Sequence, residues 1–146
     1  MSCIFCRIVA GEVPAEVVAR EPEVTAFLDV QPLADGHTLV VPKAHVAHIE
    51  DLTPPQADAL FRAVTRLARP VREGVGAVGT TIGVNNGEAT GQTIPHVHVH
   101  IVPRWPADGA GSVHTIFPRG DRRPIAEVGA AIRRASGDRK GDLGLT

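Results

Sequence analysis

The chain has 146 residues, of which 43% are apolar and 21% charged, and its formal net charge is −1 at pH 7. This size and balance are typical of one soluble globular domain, and they give no general attraction to nucleic acid or to an anionic membrane. We recognise neither a secretory leader nor an apolar run long enough to span a membrane, so we expect a cytoplasmic protein without nucleic-acid or membrane partners.

The first half of the chain reads as short strands followed by one long helix. Strands are predicted at about 16–20, 23–29 and 37–42, separated by turns rich in Pro, Asp and Gly. A helix is expected to follow, with Thr53 as its N-cap and Pro54 at its first position, because apolar residues then recur at helical spacing. Pro70 should kink or end this helix, which puts Gly74 beyond its end.

The second half contributes two more strands and a shorter helix. GTTIGV precedes an Asn-Gly turn, TIPHVHVHIVP forms the next strand, and RPIAEVGAAIRRAS has helical periodicity. The chain is therefore predicted to be α+β, with an antiparallel sheet of about five strands, one main helix and a shorter C-terminal helix. A single domain is expected over residues 1–135, with a mobile tail over residues 136–146.

The segment HVHVH places three of the seven histidines at alternate positions. In a strand His96, His98 and His100 share one face and the apolar residues between them share the other. A solvated strand face is the simplest explanation, but three imidazoles in strict alternation favour a site. Imidazoles can form a metal cage or attack phosphorus as a nucleophile. The preceding loop, NNGEATGQT, has the amides and hydroxyls of an anion cradle, which favours phosphate chemistry.

Several stretches together resemble the histidine triad family. HVHVHIV matches its His-x-His-x-His-x-x signature with apolar residues between the histidines, FLDVQPLADGHTLVVPKAH is similar to its Asp…Gly-His-Thr…Val-Pro-Lys-x-His stretch, and VNNGEATGQT is similar to its Asn-x-Gly…Gly-Gln-Ser/Thr loop. The similarity covers about residues 3–104. It implies a histidine triad fold, usually homodimeric, which binds nucleoside monophosphate groups and transfers or hydrolyses them.

The resemblance also implies roles for individual residues. His98 would attack the α-phosphorus and form a nucleotidyl-imidazole, which water resolves without a catalytic metal. His100 would contact phosphate oxygens, Thr93 would bond the phosphate or the leaving group, and His96 completes the triad. The implied nucleotide contacts are Ile4, Phe5, Ile8, Phe27 and Val30 at the base and sugar, Asp29 at the ribose, and Asn85, Gly91, Gln92, Thr93, His98 and His100 around the phosphate.

One residue bears on the branch of the family. Asn85 stands eleven residues before His96, where the phosphoramidate-hydrolysing Hint branch has Asn and the branch that cuts dinucleoside polyphosphates typically has Gln. The resemblance therefore favours a purine nucleoside phosphoramidate as substrate. Dinucleoside polyphosphate hydrolysis and a nucleotide-binding adaptor with little turnover stay as alternatives.

The only two cysteines, Cys3 and Cys6, have Cys-x-x-Cys spacing. A redox pair, a disulfide and half of a zinc site are all compatible with this spacing. Some bacterial triad proteins and the related galactose-1-phosphate uridylyltransferases join such a pair to two histidines. The matching positions here are His45 and His96, with His48 as a rival to His45. The resemblance thus implies a structural zinc ion held by Cys3, Cys6, His45 and His96, which would take His96 out of the catalytic set.

Overall fold

The computed structural model describes residues 3–137. Its elements are helix α1 (Ile4–Val9), strands β1 (Val17–Arg20), β2 (Val24–Leu28) and β3 (Thr38–Pro42), helix α2 (Pro54–Gly74), strands β4 (Gly79–Gly83) and β5 (Val99–Arg104), and helix α3 (Ile125–Gly137). The predicted α+β class, the five strands, the main helix and the shorter C-terminal helix are confirmed. Among the described residues no helix is long and apolar enough to cross a membrane.

The five strands form one antiparallel sheet in the order β1-β2-β3-β5-β4. β5 lies between β3 and β4, and its register places His100 opposite Leu39 on one side and opposite Gly83 on the other. The predicted Asn-Gly turn does not close a tight hairpin between β4 and β5. Residues 84–98 form a long connection instead, and Gly87 turns it with a φ of +99°. This connection borders the site described below.

The histidine segment is less regular than a continuous strand. β5 begins only at Val99, because Pro95 precedes the triad and the backbone N–H of Val97 donates to the carbonyl of Val46 at 2.7 Å, outside the sheet ladder. The alternation of faces nevertheless extends back to His96. Val97, Val99 and Ile101 join the core beneath α2, as the pattern predicts.

Helix α2 begins as expected and ends later than expected. Thr53 and Gln56 form a reciprocal capping box at its N-terminus. Pro70 does not end the helix, which runs through Gly74. A proline removes one backbone hydrogen bond, but Leu67 and Val71 on either side of it pack on the core, and this burial offsets the loss.

The other face of the sheet is covered by α1, which the sequence did not predict as a helix. Phe5 and Ile8 from this six-residue helix pack with Phe27, Leu39 and Val41 in a second apolar cluster. Isolated helices this short are unstable, so the burial of its apolar side chains must hold it in place.

The described chain forms two compact units, 3–110 and 111–137. The first contains the sheet, α1 and α2. The second contains a short turn at Val113–Thr115 and then α3, in which no residue is buried. The single domain over residues 1–135 stays a prediction. Residues 136 and 137 belong to α3, and the rest of the predicted tail lies outside the described residues.

Candidate active site and metal centre

A cavity of about 350 Å³ opens between α1, the end of β2 and the connection before β5. Its walls are apolar near α1 and polar near the triad. All the nucleotide contacts implied by the resemblance line it except Gln92; they are Ile4, Phe5, Ile8, Phe27, Asp29, Val30, Asn85, Gly91, Thr93, His98 and His100. We call this cavity the nucleotide cleft. It joins an apolar slot for a flat ring to a polar end that carries two histidines.

His98 is held in one tautomer at the floor of this cleft. Its side chain is only 6% exposed, and Nδ1 lies 2.7 Å from the carbonyl oxygen of His96. A carbonyl can only accept, so Nδ1 carries the proton and Nε2 has a free lone pair. The ring of Phe5 contacts His98 edge to face, with centroids 5.1 Å apart. The fold thus orients the imidazole of His98 so that Nδ1 donates to the backbone and Nε2 is the nitrogen left for a ligand.

His100 is oriented by His37, a buried histidine that directly precedes β3. The backbone N–H of Leu33 donates to Nδ1 of His37 at 3.1 Å, so the proton of His37 lies on Nε2. That nitrogen is 2.8 Å from Nδ1 of His100, which must accept. The proton of His100 therefore lies on Nε2, a buried atom with no hydrogen-bond partner within residues 3–137. A buried donor without a partner at the polar end of the cleft suits a phosphoryl oxygen.

The pKa shifts of His100 and His37 agree with these tautomer assignments. Burial, followed by the neighbouring His98 and His37, lowers the pKa of His100 to about 4. Burial also lowers the pKa of His37, partly opposed by Asp29. Both rings are then neutral at pH 7, so one donates to the other without repulsion. Sequence reasoning missed His37 because its closeness to His100 depends on how β3 pairs with β5.

His96 does not line the cleft and lies instead with three other side chains of the types that can bind a metal ion. Its Nδ1 lies 3.6 Å from the Sγ atoms of both Cys3 and Cys6, and the Sγ of Cys6 lies 3.3 Å from Nδ1 of His45. All four donor atoms lie within 4.8 Å of one another. Burial, followed by the neighbouring Cys3, raises the pKa of the Cys6 thiol.

These distances fit a zinc ion. With Zn–S about 2.3 Å and Zn–N about 2.0–2.1 Å, a tetrahedral site has sulfur-to-nitrogen edges of about 3.6 Å. Nε2 of His96 lies 2.8 Å from the carbonyl oxygen of Pro42, which fixes its proton there and leaves Nδ1 free to bind metal. His48, the rival for His45, lies instead with Asp51, at 3.4 Å.

The geometry does not support a metal cage made of the whole triad. Among residues 3–137, the donor groups close enough for a metal ion are Cys3, Cys6, His45 and His96, and separately Asp29, His37 and His100. His98 belongs to neither group. In the second group the shared hydrogen bond between two ring nitrogens already uses both atoms.

Gln92 lies outside the cleft and fastens the connection before β5. Its amide oxygen accepts from the backbone N–H of Gly87 at 2.7 Å, and its amide nitrogen donates to the carbonyl of Ala47 at 2.8 Å. Gly91, with a φ of +92°, makes the left-handed turn that directs the side chain there. The predicted contact of Gln92 with phosphate therefore stays a prediction, and the side chain has an evident role in shaping the loop.

The HIT domain family model matches residues 10–107 of the chain. The chain belongs to the HIT domain family. It is 42% identical to Protein hit of Bacillus subtilis over 113 residues, 77% of this chain and 78% of that protein. The resemblance to the histidine triad proteins is thereby confirmed.

Two HIT relatives from Schizosaccharomyces pombe differ in their named activities. The adenosine 5′-monophosphoramidase hnt1 is 38% identical over 71% of this chain and 75% of its own length. The asymmetrical bis(5′-nucleosyl)-tetraphosphatase is also 38% identical, over 66% of this chain and 53% of its own length. Family membership therefore does not decide which leaving group this chain would remove from the nucleotide.

Two solved HIT structures are similar over nearly the whole chain. A member of the family from Bacillus subtilis has a TM-score of 0.78 and 34% identity, covering 100% of both chains. A zinc-bound histidine triad family protein from Mycobacterium smegmatis has a TM-score of 0.72 and 35% identity, covering 98% of this chain and 99% of its own. The histidine triad fold predicted from the sequence is confirmed.

Proposed function

We propose that this HIT protein is a hydrolase that releases a nucleoside 5′-monophosphate from an amine leaving group, by way of a covalent intermediate on His98. The observation that carries the proposal is the fixed tautomer of His98, whose Nδ1 is bonded to the carbonyl of His96 while its ring lines the cleft. The relative named as an adenosine 5′-monophosphoramidase supports the same chemistry.

The proposed reaction has two steps. Nε2 of His98 attacks the α-phosphorus, a phosphorus–nitrogen bond forms to the ring, and the bond to the leaving nitrogen breaks; that nitrogen leaves as an amine after taking a proton from water. A second water then attacks the phosphorus, releasing the monophosphate and the free imidazole. Nε2–H of His100 and the hydroxyl of Thr93 would meet the charge that develops on the phosphoryl oxygens.

The apolar end of the cleft would hold the base. Phe5 and Phe27 pack edge to face with ring centroids 5.4 Å apart, and Ile4 and Ile8 border the same slot. Asp29 at the rim would accept from the ribose hydroxyls. A purine offers the larger ring to such a slot, which favours AMP as the released nucleotide.

We propose that Cys3, Cys6, His45 and His96 hold a structural zinc ion. Its contribution would be to bind the start of α1, which carries Cys3 and Cys6, to His45 after β3 and to His96 on the triad segment. The chemistry of the proposed reaction would not use it. The homodimeric state and the cytoplasmic location expected from the sequence stay predictions.

The rival activity is cleavage of a dinucleoside polyphosphate, for which one HIT relative is named. Steady-state release of AMP from adenosine 5′-phosphoramidate and from diadenosine tetraphosphate separates the two, with the zinc-loaded protein and a contaminating-phosphatase control. The proposal expects kcat/KM to be higher for the phosphoramidate by at least about tenfold, or 1.4 kcal/mol. The reverse order would contradict it, and tight AMP binding without turnover of either compound would favour an adaptor.

A further inference from the structure

A second cavity of about 520 Å³ adjoins the nucleotide cleft. Gly91 and Thr93 line both cavities, so the loop that they form separates two neighbouring spaces. The rest of the second cavity is lined by His48, Glu88, Gln92 and Pro95. We call this second cavity the loop cavity.

The walls of the loop cavity are joined by hydrogen bonds. Gln92 ties its own segment to Ala47, as described above. Asn86 ties the same connection to the 3-10 helix at Ile49–Asp51: its side-chain oxygen accepts from the N–H of Ile49 at 2.9 Å, and its side-chain nitrogen donates to Glu50 at 2.6 Å. The cavity is therefore bounded by two segments that are fixed to each other.

The carboxylates on the segments that line this cavity have no Lys or Arg beside them on those segments. Residues 44–61 and 84–103 contain no Lys or Arg, whereas Glu88 lines the cavity and Glu50 and Asp51 lie on the segment bonded to it. The amide of Asn86 lowers the pKa of Glu50, which keeps that carboxylate ionised. His48, the one titratable base in the lining, lies beside Asp51.

The geometry of phosphoryl transfer indicates a role for this cavity. In-line attack by His98 places the leaving group on the far side of the phosphorus. Since the apolar slot beside α1 would hold the nucleoside, the leaving group must extend elsewhere from the phosphate. The loop cavity begins at Thr93, whose hydroxyl makes no hydrogen bond within the part of the chain that the structure describes.

We infer that the loop cavity is the leaving-group subsite and that it selects amines carrying a second, positively charged group. This inference rests on the proposed function. Glu88 is the specificity-determining residue, because it is the carboxylate that lines the cavity. A polyphosphate leaving group would bring several negative charges next to the same carboxylates, so the subsite also disfavours dinucleoside polyphosphates.

The test compares three adenosine 5′-phosphoramidates with leaving amines of similar length, using the zinc-loaded protein. The amines are 1,3-diaminopropane, n-butylamine and β-alanine, which are cationic, neutral and anionic at their far ends. These amines differ in basicity, so the deciding quantity is how a variant changes the ratios of kcat/KM. Glu88→Gln removes the charge in the cavity, and Glu73→Gln makes the same change at an exposed position on the last turn of α2.

The expected result is a change in selectivity confined to the first variant. Glu88→Gln lowers the ratio of the cationic to the neutral substrate by about three- to tenfold, which is the effect of one partly screened charge at several ångströms. It raises the ratio of the anionic to the neutral substrate, and both shifts shrink in high salt. Glu73→Gln leaves both ratios as they are in the wild type.

Two other outcomes are distinguishable. If all three compounds are hydrolysed but Glu88→Gln leaves their ratios as in the wild type, the leaving-group subsite is wrong and the proposed function stands. If none is hydrolysed although AMP binds, the proposed function is wrong, and this inference is overturned with it.

Discussion

The two faces of residues 96–101 are both largely buried, but their side chains have different roles. Val97, on the apolar face, is 1% exposed, and His96, on the other, is fully buried. The apolar face, formed by Val97, Val99 and Ile101, makes non-directional apolar contacts with α2 and its neighbours. Each histidine instead has a specific polar partner, which is Pro42 for His96, the backbone of His96 for His98, and His37 for His100.

Burial alone therefore does not identify a functional site. Apolar burial contributes stability in proportion to the area removed from water, whatever the orientation of the side chain. A buried imidazole is costly unless its nitrogens find partners, and the partner of one nitrogen also decides which nitrogen is left for a ligand. Changes on the two faces should therefore separate activity from stability.

The largest expected effect is the loss of activity in His98→Ala. Removing the nucleophile should lower kcat for adenosine 5′-phosphoramidate by at least about a thousandfold. The urea midpoint should move little, since His98 makes one hydrogen bond and no core contact under α2. Residual activity within tenfold of the wild type would show that another group attacks the phosphorus.

On the opposite face, Ile101→Ala should act on stability. Ile101 is fully buried in the core under α2, so its truncation should lower the free energy of unfolding by about 2–5 kcal/mol. Urea denaturation measures this, and kcat per folded molecule should stay within twofold of the wild type. A specific loss of kcat without destabilisation would mean that the two faces are not separable.

Removal of the proposed zinc should lower stability by an amount within the range expected for Ile101→Ala. The zinc-loaded wild type, with free zinc at about one hundred times its Kd, is the reference. Relative to it, Cys6→Ser or removal of zinc with a chelator should lower the free energy of unfolding by about 2.7 kcal/mol. The unfolding transition of the wild type should shift with added zinc, and that of Cys6→Ser should not. The matched control is His48→Ala, which should respond to zinc as the wild type does.

The last expected effect, the pH dependence contributed by His100, is confined to acid pH. The pKa of His100 lies at about 4 in the folded protein against an ordinary value of 6.5, so the unfolded chain binds the proton first as the pH falls. The free energy of unfolding should therefore decrease from about pH 6.5 toward pH 4. His100→Gln lacks this term, so its stability should approach that of the wild type over that range. Parallel curves would contradict the depressed pKa.

The sequence predicted those parts of the fold that depend on local pattern. The N-cap at Thr53, the five strands and the separation of histidines from valines follow from spacing and propensity. Helix α1 was missed because six residues carry too weak a pattern and gain their stability from the sheet beneath them. The extension of α2 past Pro70 was missed because the packing of Leu67 and Val71 overrides a local rule.

The resemblance predicted some parts of the candidate site and missed others. Eleven of the twelve nucleotide contacts that the resemblance implied line the cleft, and their contact with a nucleotide stays a prediction. The Cys3, Cys6, His45 and His96 group was expected from matching positions. The role of His37 was not, since it requires the pairing of β3 with β5. The loop cavity was also beyond reach, because it depends on hydrogen bonds between segments far apart in the chain.

The proposed mechanism requires a covalent bond between Nε2 of His98 and phosphorus. Rapid quench into alkali during turnover of adenosine 5′-phosphoramidate, followed by mass analysis of the peptides, tests it directly. The account predicts one adenylyl group on the peptide that contains His98, formed and lost at rates consistent with kcat, and none in His98→Ala. An adenylyl group on another residue, or turnover at full rate with no adduct at any time, would contradict it.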